Sequence, residues 1–473
     1  MLNWIKLYHH LPHPLRVLAA TARGYYLRTW RYGPEHERLV SESLERETWS
    51  AERWKAWQEE RLAYVLHRAA TQVPYYRESW MKRRREGDRT SWEVLENWPI
   101  LKKEELRAAP NRFVSDDRNI RRMFRDQTSG TTGTPISVYL TKETLTCWFA
   151  IFEARVRVWH QTSINERWAI LGGQLVVPFL QSRPPFGVYN YALNQLYLST
   201  YHLSKKSARW YVEALQKYKP THMIFYPSSA AVLANYAIDQ GLKLPGLKVI
   251  FSNAEQLLPM HKEAISKAFR CPVRNTYGMG EYVTSASECT EGKMHIWPEV
   301  GFIEILNDFD DGPVKNGDSG RIIITGLLNA DMPLIRYEVG DRGSLEKDVK
   351  CLCGRSLPLL GEIEGRLNDL LITPDGRYIF WVNPVFYGLS IREAQIIQES
   401  LDCVHVRYVP APDYTPAAGR SIVERLQARM GPVEVILEPV AEIPREPNGK
   451  FRAVISHLAK RNPQQKNPLS RNS

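Results

Sequence analysis

Residues 126–141 read DQTSGTTGTPISVYLT. Hydroxyls and glycines crowd the loop Thr128-Ser129-Gly130-Thr131-Thr132-Gly133-Thr134, and Pro135 closes it before ISVYL, an alternating strand. Gly, Ser, Thr and Pro mark ordinary turns. Glycines also let backbone N–H groups approach an anion, and hydroxyls add donors for phosphate oxygens. Thr134 follows Gly133 where a P-loop ATPase needs lysine, so the loop is not of that type. The choice between turn and phosphate clamp falls to the rest of the chain.

Downstream, helical and strand-like stretches alternate from about 142 to 270. ARWYVEALQKY (208–218), SAAVLANYAIDQ (229–240) and LPMHKEAISKAF (258–269) carry helical periodicity, while HMIF (222–225) and LKVIFS (247–252) form short apolar runs that end in turns. This rhythm predicts a layered α/β domain, in which ligands gather at the carboxyl ends of strands, here FYPSS, FSNAE and NTYGMGE. Upstream, residues 50–73 read as a helix stopped by Pro74. Short strands follow at FIEIL, RIIITG and PLIRYEVGD. After GEIEGRLNDLLITPDGRY the composition resets, and CVHVRYV and VEVILEPV read as strands of a smaller α+β domain. The expected architecture is α/β: a helical leader over 1–95 packed on a large multi-layer domain over 96–368, a small mobile α+β domain over 369–461 and a disordered polar tail over 462–473.

The chain has 473 residues, 43% hydrophobic and 24% charged, the composition of a globular protein. It contains no run of eighteen apolar residues and no apolar signal-peptide core, so a cytoplasmic location is expected. Of the net charge of +11, Lys6, Arg16, Arg23, Arg28 and Arg31 lie in a leader segment, residues 1–33, with no Asp or Glu. That segment also carries Trp4, Tyr8, Tyr25, Tyr26 and Trp30. It has two readings: weak peripheral contact with an anionic membrane surface, or helices packing on their own domain with solvated charges. The second is the simpler. No nucleic-acid recognition motif is present.

Four further segments follow the loop: Asn275-Thr276-Tyr277-Gly278-Met279-Gly280-Glu281, Tyr337-Glu338-Val339-Gly340-Asp341, Gly365-Arg366-Leu367-Asn368-Asp369 and Pro447-Asn448-Gly449-Lys450. Their order and spacing resemble the acyl-adenylate-forming superfamily of acyl-CoA synthetases, luciferases and peptide-synthetase adenylation domains. VPYY (73–76), the loop and the later cysteines look most like the phenylacetate–CoA ligase family; the long leader and LITPDGR (371–377) look like its capsular-polysaccharide-biosynthesis branch. The resemblance implies the adenylate-forming enzyme fold and a carboxylate joined to the α-phosphorus of ATP. Two anions must then meet, which calls for positive charge and fixed donors. It assigns the loop from Thr128 to the β- and γ-phosphates, Glu281 to Mg²⁺, and Tyr277 and Gly278 to the adenine side. Asn253-Ala254-Glu255 lines the other side of the nucleotide, Asp341 takes the ribose hydroxyls, and Arg366 sits by the nucleotide at the domain junction. Lys450 is the expected catalytic residue, a compact charge on a flexible arm placed between carboxylate and phosphate; on its own it reads as a surface lysine in a turn. The family's hinge Asp is replaced by Asn368, with Asp369 next, and the following segment lacks the glycine-rich form of CoA ligases. CoA is therefore the default acceptor, a sugar hydroxyl or amine the alternative, and a non-catalytic binding relative a third reading.

Of the six cysteines, Cys289, Cys351 and Cys353 with His295 make a Cys₃His set suited to structural tetrahedral zinc, although Cys-x-Cys is a tight spacing. The alternative is buried free thiols. Related phenylacetate–CoA ligase-like proteins carry a similar zinc, by the same resemblance. Cys147, Cys271 and Cys403 read as core. Among Trp159, Phe179, Phe186, Tyr189, Tyr191, Phe225 and Tyr226, some are candidates for an apolar acid pocket and most for core.

Overall fold

The computed structural model describes residues 4–128, 135–308, 310–315, 317–346, 349–366, 371–375, 378–379, 383–446 and 449–458. Its centre is a six-stranded sheet in the order Gly187–Asn190, Gln195–Ser199, Trp168–Gly172, His222–Phe225, Val249–Ser252, Val273–Arg274. All neighbours are parallel except the first pair. Helices Ala208–Tyr218, Pro227–Asp239 and Pro259–Phe269 lie where periodicity puts them. QLYLS, HMIF and VIFS are buried at every position, as parallel strands covered on both faces must be.

A second sheet has seven strands, all antiparallel, in the order Gly301–Leu306, Gly320–Gly326, Tyr337–Glu346, Leu359–Arg366, Met294–Ile296, Ser285–Glu288, Thr276–Gly278. The chain leaves the parallel sheet at Arg274 and enters the antiparallel one at Thr276, so the two sheets meet at Asn275. A third unit, four strands (Glu434–Pro439, Cys403–Pro410, Ile391–Gln398, Val454–Ser456) with helix Pro416–Met430, has its own core of Ile396, Val404, Val406, Ile422 and Leu426.

One local expectation is met and extended, and two change. Pro74 does stop the helix Ala51–Gln72, because the residue before a proline is driven out of the helical region; Val73 is extended at φ −98°, ψ 115°. Pro74 then opens a second helix, Pro74–Arg85, at the position where a missing N–H costs nothing. Ser137–Leu140 is buried at every position rather than alternating, because Val138, Tyr139 and Leu140 all pack into one core cluster. Cys403 is half-buried at a strand start, and Cys147 is likewise half-buried, so of that trio only Cys271 is fully core.

The leader forms helices Trp4–His10, His13–Arg31 and His36–Glu45. It packs on the edge strand and the loops beside it: Arg28 Nη1 donates to the Ala192 carbonyl at 3.0 Å, Tyr8 Oη to the Val176 carbonyl at 2.9 Å, and Gly24 lies where a Cβ would meet Asn190 at 2.1 Å. Among the described residues no helix is long and apolar enough to cross a membrane.

Behind the sheets, Arg155 makes a two-pronged pair with Glu299, both bonds 2.7 Å, with side chains 0% and 2% exposed. Removing one member of a buried pair leaves an unpaired charge and costs about 3–5 kcal/mol. Glu299→Ala is therefore expected to lower stability by about that amount in urea titration. A loss below about 1 kcal/mol, the scale of an exposed pair, would contradict this assignment.

Candidate active site

Strands of a parallel sheet share one direction, so their carboxyl ends collect on one side. Gly173, Thr200, Tyr226 and Asn253 each follow a strand of the central sheet immediately. Asn253 and Ala254 are exposed there, with Ala254 at φ 65°, a left-handed conformation uncommon outside glycine. Beside them, Thr276 N donates to Ser252 Oγ at 3.1 Å, which sets Tyr277 at the mouth of the sheet junction.

Tyr277 Oη donates to Asp341 Oδ2 at 2.9 Å, although the two lie on different strands of the antiparallel sheet. Asp341 is the register partner of Arg366 on the adjacent strand. Tyr277, Asp341 and the Arg366 backbone thus converge; the Arg366 side chain lies outside the described residues. Glu281 is buried and accepts from Tyr337 Oη at 2.8 Å. Burial, reinforced by the Glu281 charge, pushes the Tyr337 hydroxyl far above its ordinary range, so it stays a donor. Tyr282, left-handed at φ 58°, donates to Asp126 at 2.6 Å and ties this turn to the strand before the hydroxyl-rich loop.

Thr128 and Ile136 exchange two hydrogen bonds of 3.0 Å, Thr128 N to the Ile136 carbonyl and Ile136 N to Thr128 Oγ1. They pinch the base of the loop. A Cβ on Gly280 would come within 3.3 Å of Thr128, so the loop base sits against the turn that carries Glu281. Ser129, Gly130, Thr131, Thr132, Gly133 and Thr134 lie outside the described residues, as do Asn368 and Asp369.

Lys450 is half-buried, and its carbonyl accepts from Glu446 N at 2.9 Å. Its neighbour Gly449 has φ 77°, and a Cβ there would lie 2.7 Å from Thr200 Oγ1 and 3.3 Å from Gly173. Only glycine fits both the dihedral and the space. The lysine segment of the small unit therefore rests on the carboxyl ends of the central strands. Thr200 and Gly173 were not singled out from sequence; their position directly after short apolar runs was the available signal.

Cys289, His295, Cys351 and Cys353 bring their ligand atoms within 4.8 Å of one another. Cys289 and Cys351 sulfurs are 3.6 Å apart, and Cys353 Sγ is 3.3 Å from His295 Nε2. A tetrahedral zinc with Zn–S of about 2.3 Å sets sulfurs about 3.8 Å apart, so the spacing fits. His295 Nδ1 is 3.2 Å from the Leu357 carbonyl, a contact that orients Nε2 toward the sulfurs. Burial lowers the His295 pKa to about 4, which keeps the imidazole neutral. Glu47 of the leader takes hydrogen bonds from Trp159 Nε1 at 2.7 Å and Arg355 Nε at 2.8 Å, fastening the cluster to the N-terminal helices. Of the seven aromatics considered for an acid pocket, Trp159, Phe186 and Phe225 are core, Phe179 and Tyr191 are exposed, and Tyr189 and Tyr226 are half-buried.

Residues 55–331 match the AMP-binding enzyme family and residues 371–457 the CapK C-terminal domain. The first match spans more than half of the chain, and the protein belongs to the AMP-binding enzyme family. It is 25% identical over 468 residues to protein CapK of Staphylococcus aureus, covering 97% of this chain and all of that one. It is 24% identical over 467 residues to a phenylacetate–coenzyme A ligase of Thermus thermophilus, covering 90% and 99% of the two chains. The resemblance to phenylacetate–CoA ligase-like proteins and their capsular branch is thereby borne out. In fold it is similar to 2-hydroxyisobutyryl-CoA ligase in its postadenylation state, with 21% identity, TM-score 0.66, and coverage of 88% and 92%. Against that ligase in its thioesterification state the TM-score is 0.53, with 22% identity and coverage of 87% and 91%. The architecture is the adenylate-forming enzyme fold, a large α/β portion followed by a small α+β unit.

Proposed function

We propose that the protein activates a carboxylic acid with ATP as an acyl-adenylate and then transfers the acyl group to an acceptor. The observation that supports this is the seating of the Lys450 segment at the carboxyl ends of the central strands; the Tyr277–Asp341 hydrogen bond and buried Glu281 belong to the adjoining antiparallel sheet and the turn beside it. In this reading residues 1–95 are a leader, 96–368 hold ATP and acid, and 369–461 act as the lid. Lys450 offsets the repulsion between carboxylate and α-phosphate as they approach. Asp341 accepts from the ribose hydroxyls while Tyr277 holds its orientation. The Thr128 loop supplies N–H and hydroxyl donors to the phosphates. Mg²⁺ takes oxygen ligands and draws charge from the phosphates; Glu281 is the carboxylate that would hold it. CoA is the acceptor favoured by the names of the similar ligases. The capsular resemblance favours a sugar hydroxyl or amine in surface-polysaccharide synthesis. A non-catalytic relative has no need of Lys450, Glu281 and Asp341 together.

Carboxylate-dependent exchange of labelled pyrophosphate into ATP, over aryl, fatty and hydroxy acids, tests the first step. Exchange is expected with one acid class and should fall at least 100-fold in Lys450→Ala, about 3 kcal/mol of transition-state stabilisation, with ATP binding nearly unchanged. Asp341→Ala should weaken ATP binding instead. ATP binding without exchange for any acid would favour the non-catalytic reading.

The Cys₃His cluster we read as a structural zinc site that pins the region after Glu281 to the strands before the hinge, with Glu47 tying its surroundings to the leader. Elemental analysis should find about one zinc per chain, and chelation should lower the melting temperature, because structural zinc contributes directly to folding. Less than about a tenth of an equivalent would reject the site.

The leader also offers an anionic membrane a surface. Leu15, Leu18, Tyr25 and Tyr26 share the outer face of helix His13–Arg31 at 46%, 64%, 62% and 44% exposure, and the Arg23 guanidinium lies 4.6 Å from the Tyr26 ring. An apolar helix face flanked by arginines and free of acidic side chains complements anionic headgroups. The protein should float with phosphatidylserine vesicles at low salt and not with neutral ones, and Leu18→Glu with Tyr25→Glu should abolish this. Wild type that stays in solution with both vesicle types would sink the idea.

A further inference from the structure

We propose that Glu255 is a positioning residue whose carboxylate latches the Lys450 segment onto the large domain in the arrangement used for acyl-adenylate formation. This rests on the adenylation reading above. Glu255 follows the strand Val249–Ser252 by three residues and is 195 residues away from Lys450 in the chain.

Two sets of donors meet on its carboxylate. Ser228 N and Ser228 Oγ, in the first turn of helix Pro227–Asp239, donate at 3.0 and 3.2 Å. The positive end of a helix of thirteen residues favours an anion there. The Phe451 N–H, from the residue next to Lys450, donates to Glu255 Oε1 at 2.6 Å, a charge-assisted bond across two parts of the molecule. Ser228 Oγ and Phe451 N share the same oxygen, so the helix end and the lysine segment are joined through one atom. Burial pushes the Glu255 carboxyl up, and the Phe451 and Ser228 donors pull it back.

The surroundings repeat the arrangement. The Phe451 ring is edge-on to buried His261 at 6.4 Å, and the Arg445 guanidinium lies 4.9 Å from its centroid. Arg445 in turn pairs with buried Glu393 of the small unit. Gly449 sits on Gly173 and Thr200 with no room for a side chain. Lys450 is thus held between a steric seat at Gly449 and a hydrogen-bonded latch at Phe451. Between them they set where the ammonium can reach. The resemblance implies a small domain that turns after adenylation, and in such a cycle the Glu255–Phe451 bond must break for the second step. Glu255 therefore biases the protein toward the first step.

Glu255→Ala and the near-isosteric Glu255→Gln test this on the full-length protein, with melting temperature as the folding control. In hydrogen-exchange mass spectrometry without ligands, peptides covering 449–458 should exchange about ten-fold to a hundred-fold faster in Glu255→Ala, the range a hydrogen bond to a charged group supports. Glu255→Gln should lie between. Unchanged exchange of these peptides in a folded Glu255→Ala protein overturns the latch. With an acid found by pyrophosphate exchange, Glu255→Ala should slow adenylate formation about ten-fold or more. Acyl transfer from a supplied acyl-adenylate should slow less than adenylate formation does; equal losses in both steps would mean a merely structural or nucleotide-binding role and overturn the latch. Wild type without pyrophosphate exchange would refute the adenylation reading, and the hydrogen-exchange arm would still decide the latch.

Discussion

The shared direction of the parallel strands is the constraint on which the site depends. Gln195–Ser199, Trp168–Gly172, His222–Phe225 and Val249–Ser252 run side by side the same way, so Thr200, Gly173, Tyr226 and Asn253 emerge on one side without further instruction. Each strand is fully or nearly fully buried, and burial on both faces holds the register. The open strand ends become a floor on which another part of the chain can rest. The segment that rests there is the one with Gly449 and Lys450.

The second sheet supplies the opposite wall. By passing from Arg274 to Thr276 between sheets, the chain carries Tyr277 and Glu281 away from the parallel layer and faces Tyr277 with Asp341 from a strand more than sixty residues on. Two buried polar arrangements keep this wall in place. Buried Glu281 accepts a hydrogen bond from Tyr337, and buried Arg155 pairs with Glu299. At the far end the Cys₃His cluster and Glu47 link the antiparallel sheet to the leader helices. The long leader is therefore built into the large domain on one face while its other face carries exposed Leu and Tyr side chains.

The small unit meets the rest of the chain through the lysine segment seated on the strand ends and through Arg392, which pairs with Asp239. An enzyme that uses two half-reactions needs such a seat to be firm enough to position a charge and weak enough to release. In the proposed reaction that seat is made of the Glu255–Phe451 hydrogen bond, the Gly449 contact, the Arg392–Asp239 pair and the packing of Phe451 against His261.

Much of the layering was legible in the sequence, because it follows from local periodicity. Apolar residues at helical spacing in 208–218 and 258–269, and short apolar runs at 222–225 and 249–252, report burial that neighbours a few residues away already determine. The ordered motifs around Tyr277, Glu281, Asp341 and Lys450 named the family, and the Cys₃His set named its own cluster. The local readings that were extended or changed had physical causes: Pro74 both ends one helix and opens the next, and Val138, Tyr139 and Leu140 of the Ser137–Leu140 strand all pack into one core cluster. Pairings between distant residues were decided by tertiary structure alone. Nothing local links Glu255 to Phe451, Tyr277 to Asp341 or Glu47 to Arg355, because those bonds exist only once segments far apart in the chain have packed together. Sequence determined the layers and the chemical parts; packing direction decided which parts touch, since a hydrogen bond forms only where the fold brings donor and acceptor within about 3 Å.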